Sequence, residues 1–316
     1  MKAASRHKYG GPDVLRVEEI PRPEAKAGGI LVKIMTATVN RTDCAVLTGE
    51  PFVMRFFTGL RRPLNPVTGT DFAGIIEESN AAGFLAGERV FGFLDNGLPT
   101  HAEFLSVDRK HVSPMPNVSF EEAAAACEAG HYAYNFAKAV KVQSGQKALV
   151  NGAGGGIGSA LLQFLKYFGL EVTAVCRGDQ IPKIRALGGD RVINYETDDF
   201  TKDSETYDFV FDAVGKSRFQ SCRNIMKPRA VYLSSEPGPR GENFWLPLLT
   251  RFSARRVVFP FPADIPGSLG FMSSLLNQGK FKPLIDRTYT LDQIAEAFRY
   301  TASGQKTGNV IIRISG

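Results

Sequence analysis

Apolar positions follow two different rhythms along the 316 residues of this chain. Over residues 1–116 they come in short alternating or β-branched runs broken by glycine and proline. "GGILVKIMTATVN" (28–40), "TDFAGIIEES" (70–79), "ERVFGFLDNG" (88–97) and "HAEFLSVDRKHVSPMP" (101–116) each read as a strand region. Many short strands with Gly and Pro turns predict a barrel-like or sandwich-like β domain.

From residue 117 helix and strand patterns take turns. Ser119, followed by Glu121 and Glu122, is a helix-start signal, because acids are favoured in a first turn. It opens a helix in "NVSFEEAAAACEAGHYAYNFAKAV" (117–140). Then come a strand in "KALVNG" (147–152), a helix in "IGSALLQFLKYFG" (157–169), a strand in "EVTAVC" (171–176) and a helix in "IPKIRALGG" (181–189). Four more apolar runs complete the series: "RVINY" (191–195), "YDFVFDAV" (207–214), "AVYLSS" (230–235) and "RVVFPF" (256–261). Six continuous apolar strands suit a doubly wound parallel sheet, which is buried on both faces. The polar "TKDSET" (201–206) stands where one helix is expected. From about Ala263 two helical patterns and a last strand, "GNVIIRIS" (308–315), do not continue the parallel sheet and predict a return to the first domain. The expected division is residues 1–116, a dinucleotide-binding domain over 117–262, and a C-terminal return over 263–316.

The junction of the first parallel strand with its helix carries five glycines in seven residues, 152–158. Ala153, Gly155 and Gly158 give A-x-G-x-x-G in place of the strict G-x-G-x-x-G. The physical needs are still met: a tight turn, close approach of backbone to a pyrophosphate, and close helix–strand packing at Gly158. After the second strand, an acid would bind the 2′-hydroxyl of NAD and an arginine the 2′-phosphate of NADP. Arg177 comes directly after Cys176, and its fork of donors suits phosphate, so NADP(H) is favoured over NAD(H). Asp179, two residues on, keeps NAD open, and an Arg177 that simply meets solvent is the plain alternative.

Composition adds limits. The chain is 43% hydrophobic and 22% charged, with a net charge of +6. No apolar run approaches the ~20 residues that cross a bilayer, and "MKAASRHKYGGPDVL" lacks a signal-peptide core. The four cysteines are scattered, so reduced thiols and a cytoplasmic protein are expected. The basic residues form only short pairs, "LRRP" and "ARRV", which argues against nucleic acid as a partner.

The domain order, with "NGAGGGIG", "LGGDRVINY", "YDFVFDAVG" and "GNVIIRI", resembles the medium-chain dehydrogenase/reductase superfamily, and within it the zinc-independent quinone oxidoreductases. "VNRTD" and "GTDFAG" fall in the family's order and spacing, and the resemblance spans essentially the whole chain. It implies an α/β protein: a GroES-like β-barrel catalytic domain plus a Rossmann domain, with the nicotinamide lying in a cleft against the latter. Carried over residue by residue, Gly155, Gly156, Ile157 and Gly158 would meet the pyrophosphate. Arg177 and Tyr195 would flank the adenosine phosphate and Val214 the adenine. Ser234 and Ser235 would lie near the nicotinamide ribose, and Asn40 and Tyr134 near the nicotinamide. For Tyr195 and the serines, packing at a strand end is the alternative. The resemblance also implies a homodimer, with "RRVVFPF" as the edge strand that pairs.

Zinc-dependent members need Cys, His and Cys or a carboxylate around one metal with an open position. Here Asn40 stands where the first Cys would be, and Thr70 and Asp71 where a His–Glu pair would be. Cys127 and Glu128 stand near the third ligand, and the four-cysteine structural lobe has no counterpart. His7, His101, His111 and His131 show no metal-ligand spacing. No zinc is therefore expected, and zinc alkoxide chemistry is not available. An acceptor that already takes a hydride, a quinone or an α,β-unsaturated carbonyl, suits the chain better. Some quinone oxidoreductases carry tyrosines after the Asn turn; Ala45 and Pro51 stand there instead, which leaves the proton donor unassigned. Phe52–Phe57 either caps an apolar substrate or packs into the barrel, and Phe244 and Trp245 either wall the cleft or support a dimer. The reading is an NADPH-dependent quinone or enone reductase. The alternative from another class is a catalytically silent NADP(H)-binding sensor, or a structural or nucleic-acid-binding protein.

Overall fold

The computed structural model describes residues 1–94 and 97–315. In chain order the strands are β1 (Lys2–Ser5), β2 (Arg16–Glu19), β3 (Gly29–Val39), β4 (Asp71–Ser79), β5 (Arg89–Phe93), β6 (Phe104–Asp108) and β7 (Val112–Pro114). Next come β8 (Lys147–Asn151), β9 (Glu171–Cys176), β10 (Arg191–Asn194), β11 (Tyr207–Asp212), β12 (Met226–Ser234), β13 (Arg256–Val258), β14 (Ile285–Thr290) and β15 (Asn309–Arg313). The helices are α1 (Arg41–Thr48), α2 (Arg55–Thr58), α3 (Phe120–Lys138), α4 (Gly156–Tyr167), α5 (Ile181–Ala186), α6 (Phe219–Cys222), α7 (Glu242–Leu249), α8 (Ile265–Asn277) and α9 (Ile294–Ala302). The strand expected over 88–97 is β5; Asp95 and Asn96 lie outside the described residues.

The chain divides into two compact units. Unit 1 holds residues 1–128, 265–279 and 285–316, and unit 2 holds 129–264 and 280–284. In unit 1 the described strands form an antiparallel ladder β15–β3–β4–β5–β7, with β14 added parallel to β15 and β6 paired with β3. β3 is nearly continuously buried because it has apolar neighbours on both faces. Ile30, Val32 and Ile34 pack with Phe72, Val90 and Leu105, while Val39 packs with Leu47, Phe298 and Ile312. The late strand β15 closes onto β3, with Val310 opposite Val39.

In unit 2 six described strands, all parallel, run in the order β10–β9–β8–β11–β12–β13. Counted within the sheet this is 3-2-1-4-5-6, the doubly wound arrangement in which the progression of the strand order reverses between β8 and β11. Ligands of such sheets gather outside the carboxyl ends of the strands at that reversal. The edge strand beyond β12 is β13, the first part of "RVVFPF". Between β10 and β11 the polar stretch forms only a 3-10 turn, Phe200–Lys202, capped by Asp199. Asp203 fixes the start of β11 by accepting from Arg191 and the Tyr207 hydroxyl.

Candidate functional site

The glycine loop joins β8 to α4. Ala153 and Gly152 both donate backbone bonds to the Val175 carbonyl, which ties the loop to β9. Gly152 has φ +82°, a left-handed conformation that glycine adopts without strain. Gly155 caps α4, and the first intrahelical bond runs from Ser159 N–H to the Gly155 carbonyl. The N–H groups of Gly156, Ile157 and Gly158 precede that bond, so the helix presents its orphan donors at the carboxyl end of the sheet. Gly158 sets how close the helix comes: a Cβ there would lie 2.2 Å from the Gly152 carbonyl oxygen and 2.9 Å from Ala153 Cα. A Cβ on Gly155 would touch only the Gly152 oxygen, at 3.4 Å. The loop is therefore open on the Gly155 side and closed on the Gly158 side.

At the end of β9, Arg177 donates from Nε to Asp179 Oδ1 at 2.6 Å and from Nη2 to Oδ2 at 2.9 Å. The Arg177 guanidinium thereby holds the Asp179 carboxyl below the usual carboxylate range. The expectation that Arg177 faces solvent or a phosphate thus meets a third partner, a carboxylate in its own turn. Tyr195 comes directly after β10; its N–H bonds the Cys176 carbonyl and its side chain is exposed. The next residue, Glu196, accepts from Gly178 N–H at 3.0 Å.

Across the reversal, the fully buried Asp212 ends β11 and organises the "DAVG" turn. Its Oδ1 accepts from Asn151 Nδ2 at 3.0 Å and from Gly215 N–H at 3.1 Å, and its Oδ2 accepts from Ser217 N–H at 2.9 Å and from the Tyr232 hydroxyl at 3.2 Å. Val214 rides on that turn. Ser234 is buried at the end of β12, with its hydroxyl taking Glu236 N–H at 3.2 Å, and Ser235 N–H bonds the Asp212 carbonyl. The structure so gathers the glycine loop, Val214 and the two serines at the carboxyl ends of adjacent strands. Asp212 was missed by sequence reasoning, although "FDAVG" was visible as a motif; an acid ending an apolar strand was the available signal. Tyr134 lies half-buried in unit 2 and donates to Asp264 Oδ2 at 3.4 Å. His131 is buried, and burial pulls its imidazole down to about 4, so it is neutral near pH 7.

In unit 1, Asn40 is the cap of α1: its Oδ1 accepts from Asp43 N–H at 2.9 Å and Asp43 Oδ2 accepts from Asn40 N–H at 2.9 Å. Asn40 Nδ2 donates to Thr70 Oγ1 at 2.8 Å. The adjacent Asp71 accepts from the Thr38 hydroxyl at 2.8 Å and from Thr38 N–H at 2.9 Å, and Thr42 donates to Glu128 at 2.9 Å. Burial pushes Asp71 up to about 7 against the opposing bonds from Thr38, and burial together with the Asp71 charge raises Asp43 well above the carboxylate range. The buried Arg6 feels the charge of Asp43, yet desolvation pulls its guanidinium down to about 10.

These residues do not fit a zinc ion. Asn40 and Thr70 bond each other, and the buried Cys127 thiol donates to the Ala123 carbonyl of its own helix at 3.4 Å. Among the described residues no group of three or more His, Cys, Asp or Glu side chains could hold a metal. His101 is spoken for by Thr68 and the Thr38 carbonyl, each at 2.8 Å. Phe52, Phe56 and Phe57 are more than half exposed, so they do not pack into the barrel; Phe244 and Trp245 are likewise exposed. No helix among the described residues is long and apolar enough to cross a membrane.

Residues 26–151 match the alcohol dehydrogenase GroES-like domain family, and residues 187–312 the zinc-binding dehydrogenase family. The chain is 30% identical to the tomato (Solanum lycopersicum) 2-methylene-furan-3-one reductase over 99% of its own length and 79% of that protein. It is 27% identical to the chloroplastic NADPH-dependent alkenal/one oxidoreductase of Arabidopsis thaliana, with the same coverage. Its fold matches the quinone oxidoreductase structure from Coxiella burnetii with a TM-score of 0.89 at 23% identity, covering 100% of this chain and 99% of that one. A GroES-like domain, a parallel Rossmann sheet and relatives named as quinone and enone oxidoreductases place this chain, an oxidoreductase, in the medium-chain dehydrogenase/reductase superfamily with the quinone oxidoreductase group.

Proposed function

We propose that the chain is a zinc-independent reductase that uses NAD(P)H, with NADP(H) favoured over NAD(H), to reduce a quinone or an α,β-unsaturated carbonyl. The observation that carries this reading is the pairing of Asn40 with Thr70 where zinc-dependent relatives would need two metal ligands. With that donor set the acceptor itself must be ready to take a hydride. A bound nicotinamide cofactor would supply that hydride.

The chain's own residues do the rest. The N–H groups of Gly156, Ile157 and Gly158 hold the pyrophosphate by orphan donors and the helix dipole, while Gly155, whose N–H bonds the Gly152 carbonyl, leaves room for the phosphates to approach the loop. Arg177 and Tyr195 flank the adenosine phosphate, Val214 the adenine, and Ser234 and Ser235 the nicotinamide ribose. Asn40 and Tyr134 are the proposed positioning residues next to the nicotinamide. Asn40 Nδ2 is already engaged by Thr70, so its orientation is set before any ligand arrives. Water protonates the reduced acceptor, and no side chain is assigned as its acid. The exposed Phe52, Phe56 and Phe57 offer an apolar, aromatic surface to such an acceptor. The four cysteines are free thiols, in keeping with a reducing compartment such as the cytoplasm. A homodimer would pair through the edge strand β13.

The test is titration with NADPH and NADH, then cofactor oxidation with a panel of quinones and enones. Tighter NADPH binding that weakens in Arg177→Ala, with turnover of at least one acceptor, is expected. Binding without turnover of any acceptor would overturn the reductase reading in favour of a silent binder, and a strong preference for NADH would overturn the role of Arg177.

A further inference from the structure

Between α1 and β4 the chain of unit 1 forms an apolar and basic projection. Phe52, Val53, Phe56, Phe57, Leu60 and Leu64 are each more than half exposed, Leu64 at 80%. Single exposed apolar side chains are ordinary on a protein surface, but here six fall within 13 residues. Phe52 and Phe56 meet edge to face, with ring centroids 5.8 Å apart. Val53, Leu60 and Leu64 extend the aromatic surface already offered to an acceptor. The stretch is held in shape from below. The Tyr9 hydroxyl donates to the Gly59 carbonyl at 2.5 Å and lies 2.7 Å from Thr58 Oγ1, and Leu64 N–H donates to the Thr58 carbonyl at 2.8 Å. Arg55 lies over the Tyr9 ring at 4.7 Å and donates to the Gly49 carbonyl at 3.2 Å. The apolar side chains are thus presented on an ordered backbone, which lowers the entropy lost on binding. From Pro51 to Thr70 the sequence holds three arginines, Arg55, Arg61 and Arg62, and no acid. Arg61 and Arg62 are exposed.

Aromatic and aliphatic side chains beside arginine, with no acid among them, complement a layer that is negative at its face and apolar beneath. A second copy of the chain is a poor match. About a two-fold axis the same three cations would face one another, and the whole chain already carries +6. We propose that residues 51–64 seat unit 1 on an anionic lipid surface, the phenylalanine and leucine side chains entering the headgroup layer and Arg61 and Arg62 meeting lipid phosphates. The contact lies on the bilayer and does not span it. Each cation near such a surface strengthens binding about fivefold, and the gain falls as salt rises. The proposal stands apart from the reductase reading, because lipid binding is measured without cofactor or acceptor.

The experiment is cosedimentation of the full chain with vesicles of phosphatidylcholine alone and of equal parts phosphatidylcholine and phosphatidylglycerol, at low and physiological salt. The proteins are the wild type, Arg61→Gln with Arg62→Gln, Leu60→Ser with Leu64→Ser, and a control that removes the same charge elsewhere, Lys26→Gln with Lys110→Gln. Lys26 and Lys110 flank the Gly29 end of β3, opposite the Val39 end from which α1 and the projection follow. Each protein is checked for folding by its melting temperature. The wild type should bind the mixed vesicles at least about tenfold more tightly than phosphatidylcholine alone. The arginine variant should lose roughly 10- to 30-fold, the leucine variant roughly tenfold, and the control no more than about twofold. Equal binding to the two kinds of vesicle overturns the proposal, since the arginines then recognise nothing. An equal loss in the control also overturns it, because the effect is then one of bulk charge. No binding to either vesicle overturns it as well; an oligomer that comes apart in the leucine variant, seen by sedimentation velocity, then assigns the surface to a second copy.

Discussion

Gly158 and Gly155 lie three residues apart in one loop, and the structure assigns them different physical duties. A Cβ at Gly158 would sit 2.2 Å from a carbonyl oxygen, 2.7 Å from its carbon and 2.9 Å from Ala153 Cα. Ordinary contact begins near 3.4 Å, so something must give by about 1 Å, and every atom in the way is backbone of the β8–α4 turn. Overpacking of this kind costs about 1–3 kcal/mol. For a unit of about 140 residues, 1 kcal/mol moves the melting temperature by roughly 3–5 °C. Gly158→Ala should therefore lower the melting transition of unit 2 by about 3–15 °C. Gly155→Ala adds a methyl group that touches one atom at 3.4 Å, at a φ of −85° that alanine adopts freely. It should melt within about 2–3 °C of the wild type, since the poorer cap that alanine makes for α4 is offset by the lower conformational freedom it gives the unfolded chain. Yet its methyl group stands on the open side of the loop, where the pyrophosphate is proposed to approach. NADPH affinity should then fall in Gly155→Ala without loss of stability. The assays are calorimetric melting of the apo-protein and NADPH titration by fluorescence. Equal melting temperatures for the two variants would refute the packing argument, and unimpaired NADPH binding by Gly155→Ala would refute the approach of the phosphates over Gly155.

Unit 1 yields two further expected outcomes. Folded Asp71 titrates near 7 against an ordinary value of 3.8, so the folded state binds its proton more tightly than the unfolded chain. Its stabilising contribution is full below about pH 4 and is lost as pH rises through about 7; stability measured by urea unfolding should fall from pH 5 to 8, and Asp71→Asn should flatten that slope, parallel slopes being the contrary result. Asn40→Ala removes the cap of α1 and the donor to Thr70, and should cost roughly 1–3 kcal/mol of unfolding free energy, measured by the same unfolding curves; a cost below about 0.5 kcal/mol is the contrary result.

The strands of the parallel sheet and the glycine turn were legible in the chain because their causes are local. Continuous apolar runs, glycine where the backbone must turn, and a helix pattern after it are all set by neighbours in sequence. So was the helix over 117–140, whose start Ser119 and Glu122 announce by a reciprocal cap. The candidate residues Gly155–Gly158, Val214, Ser234 and Ser235 came from the resemblance, whose motifs fall where β8, β11 and β12 give way to the elements that follow them. What the chain alone did not settle are the relations between distant residues that carry no periodicity. Asp212 binds Asn151 from 61 positions away, Thr70 meets Asn40 from 30 away, and β15 finds β3 across nearly the whole chain. The burial that lifts Asp71 and holds His131 neutral depends on what surrounds them, not on their neighbours in sequence. Arg177 shows the limit most plainly: its identity announced a phosphate reader, and only the folded turn decided that its fork is closed on Asp179. Sequence determines which groups are present and which local shapes they favour; tertiary structure decides which of them meet, because hydrogen bonds and desolvation act over a few ångströms of space whatever the distance along the chain.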